Sequence, residues 1–186
     1  MGSPTESLAT RFKDAVKRRV GHAAVIGSKA KGGFGCFALV NEMLKSVGAK
    51  TAADFGEVTP DGNYVWGDEI PDAKDVKAGD VLQFRDHVIT VKTTTTFAVP
   101  TRRGVTGEEK TETAVRPHHT AVVIEILDGG GVVVVEQHVK PNIHKVYRHT
   151  ILRLAKGSET RMSKHAKIEV NVSGTVKAYR PVPSTE

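Results

Sequence analysis

Hydrophobic residues in the first fifty positions recur at helical spacing, whereas beyond residue 80 they alternate or run together as strands do. Leu8, Phe12, Ala15, Val16 and Val20 fall on one helical face. They follow Ser3-Pro4-Thr5-Glu6, a capping box with proline at the first helical position, which predicts a helix over residues 4–20. A glycine-rich stretch, GSKAKGGFG at residues 27–35, leads into a second predicted helix that opens near Cys36 and stops at Val47, before Gly48. Cys36, Val40, Met43, Leu44 and Val47 share one stripe of that helix, so the cysteine is expected to face whatever the helix packs on.

After a polar segment containing Tyr64-Val65-Trp66-Gly67, strands are predicted over residues 81–85, 119–127, 132–139, 145–152, 167–172 and 175–180. Asp128-Gly129-Gly130-Gly131 and Ser173-Gly174 read as hairpin turns between two of these pairs. Strands joined by short turns make an antiparallel sheet, and helices followed by strands define an α+β order: N-terminal helices packed on that sheet. Residues 92–116, rich in threonine and charge, are expected to interrupt the sheet as an extended hairpin or flap. A chain of 186 residues has room for one domain, here residues 1–186 with a core over about 30–183.

Hydrophobic residues at 39% and charged residues at 26% mark an ordinary globular chain. No stretch approaches the roughly 18 apolar residues of a membrane span. Residues 1–30 lack the apolar core of a secretory signal, so the chain is expected to be cytoplasmic unless a leader has been removed. The formal charge of +6 suits acidic partners, although so modest an excess serves solubility first. Arg11, Lys13, Lys17, Arg18 and Arg19 form a basic face on the first helix. Nucleic acid is nonetheless disfavoured, because aromatic residues at 5% offer little stacking surface and no recognition motif is present.

Chemistry turns on the single cysteine, which excludes an internal disulfide and a multi-cysteine zinc site. Burial preference favours a core thiol. A reactive one needs an environment that stabilises the thiolate, and the first turn of a helix together with an imidazolium would supply it. His118 and His119 stand where a polar segment enters an apolar strand, pointing to opposite faces, so only one can meet Cys36. On the next strand Glu136 and His138, two apart, are expected to share a face from which either could fix the tautomer of the base. A zinc site from His118, His119 and His138 is a weaker alternative, since adjacent histidines on a strand diverge and no His-Glu-x-x-His occurs.

Cys36 at a helix start, Ala78-Gly79-Asp80 turning into Val81-Leu82-Gln83-Phe84, His119-Thr120-Ala121 and Glu136-Gln137-His138 occur in the order seen in papain-like cysteine hydrolases of the CHAP and NlpC families, which the chain resembles. Tyr64-Val65-Trp66-Gly67, Gln83-Phe84-Arg85-Asp86 and Ala178-Tyr179-Arg180-Pro181-Val182-Pro183 make it most similar to the cysteine-proteinase-fold domain that ends fungal actin-patch proteins of the myosin-binding type. The resemblance implies Cys36 as nucleophile and, through the His-x-Ala spacing, His119 as base. Glu136 matches the CHAP glutamate and His138 stands where an asparagine is usual, which puts the orienting role at His138 ahead of Glu136. One oxyanion donor would be the Cys36 N–H, with Ser28 and Lys31 as candidates for another. The implied activity is a cysteine-dependent peptidase or amidase, without cofactor or metal, acting on a peptide or peptidoglycan-like substrate. The alternative is a catalytically silent adaptor that binds a protein partner.

Overall fold

The computed structural model describes residues 6–25, 35–60, 62–97, 106–139 and 144–184. Helix α1 (Leu8–Arg18) is capped by the Ser7 hydroxyl, which accepts from the Thr10 N–H at 3.2 Å. Ser3, the predicted cap, lies outside the described residues. Helix α2 (Gly35–Ser46) places Cys36 in its first turn and buries Phe37, Leu39, Val40, Met43 and Leu44. Arg11 ties the two helices together by donating to the Val47 carbonyl at 3.1 Å, one of the acceptors left over where α2 ends.

Among the described residues seven strands form one antiparallel sheet: β1 (Asp68–Ile70), β2 (Val81–Thr96), β3 (Gly107–Ile126), β4 (Val132–Glu136), β5 (Tyr147–Ile151), β6 (Gly157–Met162) and β7 (Ala166–Arg180). Their order is β1-β7-β2-β3-β4-β5, with β6 also paired to β7. The α+β architecture therefore matches the order of elements expected from the pattern. The helices cover one sheet face, where Val81, Val122, Ile124, Val133 and Val135 meet Phe12, Val16, Leu39, Val40 and Leu44. Leu82, Phe84, Ala121, Val123, Val132, Val134 and Ile151 form a second cluster from the opposite set of side chains.

Residues 92–96 and 107–116 form the arms of an extended hairpin, as one of the two expectations had it, but they do not interrupt the sheet. β2 and β3 stay paired out to Thr96 and Gly107, flanked by β7, so this segment is a continuation of the ladder. Threonine and charge there reflect strands with two solvent-facing sides rather than a loop. Ser173-Gly174 is likewise not a hairpin turn, because β7 runs unbroken through it. Gly174, at φ +81°, faces a bulge in β2, where Asp86 and His87 oppose this single residue and Asp86 adopts φ 49°. Beyond the bulge the alternation changes phase: Leu82 and Phe84 share a face with Ile89 and Val91.

The Ala78-Gly79-Asp80 turn has a structural role. Gly79 takes φ +99° with its Cα against Ala9 of α1, and buried Asp80 accepts from the Lys77 N–H at 2.6 Å and from Arg180 at 3.1 and 3.0 Å.

A Cβ on Gly174 would overlap the Asp86 carbonyl and sit on a left-handed backbone. Gly174→Ala should destabilise the fold by about 2 kcal/mol or more. Chemical denaturation followed by fluorescence of the single, fully buried Trp66 measures this, and unchanged stability would show that the bulge relaxes freely.

Candidate active site

The Glu136-Gln137-His138 triplet assembles the site, each residue in a different way. Pairing of β4 ends at Glu136, and His138 adopts φ 63°, so the two do not share a strand face as their spacing suggested. Gln137 is fully buried and binds the chain on both sides of the glycine-rich stretch. Its Oε1 accepts from the Val25 N–H at 2.8 Å, while its Nε2 donates to the Val25 carbonyl at 3.0 Å and to the Gly35 carbonyl. The His138 ring lies against Gly35, so close that any side chain at that position would overlap it. Together they fix where α2 begins and hence where Cys36 stands.

The thiol meets β3 where β3 and β4 separate. The last pair between them on this side is Val122 with Val135. Val123 exchanges both backbone bonds with the Gly79–Asp80 segment that leads into β2, so by strand alternation the Thr120 N–H points to the opposite, β4 side. It is therefore free of the ladder and reaches Cys36, which also receives the Phe37 N–H and a hydrogen bond from His119. Thr120 is itself fixed through its hydroxyl, which donates to Gln83 Oε1 at 2.9 Å, an oxygen that also accepts from Trp66 Nε1 at 3.1 Å.

His119, only 5% exposed, has its Nε2 3.0 Å from Glu136 Oε2. An ionised carboxylate only accepts, so Nε2 donates and Nδ1 is left for the thiol. Glu136 is fully buried and is held by more than His119. Arg116 forks onto it with Nε at 3.0 Å and Nη2 at 2.7 Å, and His149 Nδ1 lies 3.3 Å from Oε1. Of the two candidates for orienting His119, Glu136 is the one that accepts its hydrogen bond. His138 occupies the helix-start position instead. His118, on the other side of the strand, sits 5.0 Å from the Tyr64 ring, among the aromatic side chains Phe37, Tyr64 and Trp66.

The electrostatics follow from these pairings. Burial pushes the Cys36 thiol up, but the hydrogen bond and charge of His119 and the Thr120 and Phe37 N–H groups outweigh it and bring the thiol below its ordinary value of 9.0. Burial depresses His119, yet hydrogen bonds to Cys36 and Glu136 raise it from 6.5 to about 9. Burial also pushes Glu136 up, while hydrogen bonds from His119, His149 and Arg116 hold it well below 4.5. Each pairing thus moves its group toward the charged form, Cys36 toward thiolate, His119 toward imidazolium and Glu136 toward carboxylate.

Arg116, Gln137 and His149 were not singled out from sequence. A buried arginine has no local signature, and the odd spacing of Arg116 from His119 argues against a shared face in a regular strand. Ser28 and Lys31 lie outside the described residues. His118, His119 and His138 do not gather into a metal-binding cluster. Among the described residues no helix is long and apolar enough to cross a membrane.

Two helices against an antiparallel sheet, with a helix-start cysteine facing a strand histidine, define a cysteine-proteinase fold. Residues 6–185 match the AIM3/BBC1 cysteine proteinase-fold domain, and the chain belongs to that family. No curated protein and no solved structure matches it.

A carboxyl held below its ordinary value of 4.5 contributes stability that is present above that pH and lost as pH falls through its lower folded value. The denaturant midpoint should therefore fall progressively as the pH is lowered below the ordinary carboxyl range. The Glu136→Gln variant should show a shallower acid slope, and an equal slope in both proteins would assign acid sensitivity to other carboxylates.

Proposed function

We propose that the chain is a cysteine-dependent amide hydrolase. The observation that supports this best is the row Cys36–His119–Glu136, in which a thiol at a helix start shares a proton with an imidazole whose other nitrogen is held by a buried carboxylate. The thiolate of Cys36 attacks the carbonyl carbon of an amide. The oxyanion forms near the Cys36 N–H, a first-turn donor with no acceptor inside the helix. His119 then gives its proton to the departing amine, and the acyl-enzyme is released by water that His119 deprotonates. Glu136 keeps the ring in the tautomer and orientation this requires. By resemblance to CHAP and NlpC enzymes, the substrate class is a peptide, including peptidoglycan-like peptides.

The burial of His119 favours a second reading. A base that must reach a leaving amine is usually accessible, and so buried a histidine suits an adaptor that retains the scaffold for protein binding.

The two readings separate on reactivity. Cys36 should be alkylated by iodoacetamide at pH 6 much faster than an ordinary unpaired thiol, and labelling that follows such an ordinary thiol would favour the adaptor.

For any hydrolysis found, His119→Ala should lower turnover by a factor on the order of 10²–10⁴. His118→Ala should be mild by comparison. Glu136→Gln should cost more than His138→Ala when both are folded, and the reverse order would return the orienting role to His138.

A further inference from the structure

The carboxylate beside His119 is buried deeply enough that something must keep it charged, and the residue positioned to do so is Arg116. Arg116 is 1% exposed and spends two of its donors on Glu136, one per carboxylate oxygen, at 3.0 and 2.7 Å. Oε2, which takes the Arg116 Nε, is the oxygen that also faces His119 Nε2. The guanidinium carbon lies 5.4 Å from the centre of the Phe84 ring, which walls it off from solvent together with His87. Two devices bring Arg116 onto the His119 side: the bulge at Asp86, and Pro117, which has no N–H to give to the ladder.

We propose that Arg116 is a positioning residue of the Cys36–His119 pair, fixing both oxygens of Glu136 and supplying the positive charge that lets the thiolate form. This rests on the hydrolase reading above. The argument is one of charge balance. With the thiolate and imidazolium formed, the buried row carries Arg116 and His119 against Glu136 and Cys36, and its charges cancel. Without Arg116, the same state holds one excess negative charge in a place that water does not reach. If Glu136 relieved that excess by taking a proton, His119 would lose its anionic partner and the thiolate its imidazolium. Either way the thiol becomes harder to ionise.

Among the described groups around the row, Arg116 is the permanent cation held on both oxygens of Glu136. His87 on β2, fully buried, has no hydrogen-bond partner on either ring nitrogen among the described residues; burial and then the Arg116 charge lower it to about 4, so it is neutral. Tyr147 on β5 donates to the Val139 carbonyl at 3.2 Å and is pushed up by burial and by Glu136, so it stays protonated. His138, beside α2, is lowered by burial and by the charges of His119 and His144. His149 on β5 meets Oε1 of Glu136 at 3.3 Å, a longer contact than either made by Arg116.

The experiment is the pH dependence of Cys36 alkylation in the full chain, for wild type, Arg116→Lys and Arg116→Met. Wild type and Arg116→Lys should share a low midpoint, because lysine keeps the charge, and Arg116→Met should shift it upward by about one unit or more. A wild-type midpoint in the ordinary thiol range would overturn the hydrolase reading and this proposal with it. A low wild-type midpoint that Arg116→Met leaves unchanged would overturn the role of Arg116 alone. Should Arg116→Met fail to fold, the carboxyl carbon resonance of Glu136 in wild type decides: a shift constant from pH 4 to 8 supports the proposal, and a titration within that range overturns it.

Discussion

One fully buried carboxylate constrains the whole site. Removing an ionised carboxylate from water costs several kcal/mol unless its oxygens are paired, and breaking such a pairing costs about 3–5 kcal/mol. Glu136 meets that demand with Arg116 and His119 from β3 and His149 from β5. β3 and β5 lie on either side of β4, so the sheet must hold three neighbouring strands in register for the carboxylate to be tolerated at all. The hydrogen bonds that make the buried charge acceptable are also those that orient His119. Stability and the geometry of the pair therefore depend on the same contacts.

That arrangement requires an irregular strand. Arg116 and His119 are three apart, a separation that puts side chains on opposite faces of a regular strand. The phase change around Asp86 and Pro117 brings both to Glu136, and Gly174 on β7 makes room for it by lacking a side chain. Bulges are over-represented beside active sites because they re-aim a side chain without ending a sheet. Here the ladder between β2 and β3 continues on either side of the Asp86–Pro117 position with unchanged register.

The placement of the thiol depends on a gap in hydrogen bonding. Where β4 parts from β3, the Thr120 N–H loses its ladder acceptor, and α2 enters with Cys36 as the replacement. Gln137 holds Val25 and Gly35 at the two ends of the intervening segment, which anchors the helix start without support from the helix itself. Membership of a cysteine-proteinase-fold family accounts for this scaffold; whether the scaffold acts or only binds is decided at the reacting atoms.

Much of this was legible in the chain. Helical spacing predicted α1 and α2, the position of Cys36 at a helix start followed from the glycine-rich stretch before it, and apolar runs located the cores of β3 and β4. These are local properties, fixed by the period of side chains along a backbone. The phase change at Asp86, the continuation of β7 through Gly174 and the extension of the sheet over residues 92–96 and 107–116 were not legible, because turn-like glycine and solvent-facing threonine look the same in a loop and in a two-sided strand. The choice between Glu136 and His138 was also beyond the sequence. Their spacing implied a common face, and only the end of β4 at Glu136, with His138 turned onto Gly35, separates them. The sequence by itself determined which residues could take part and on which elements they lie. Tertiary structure decided which of them meet, because a buried carboxylate accepts whichever donors the neighbouring strands bring to it, and those are set by register rather than by distance along the chain.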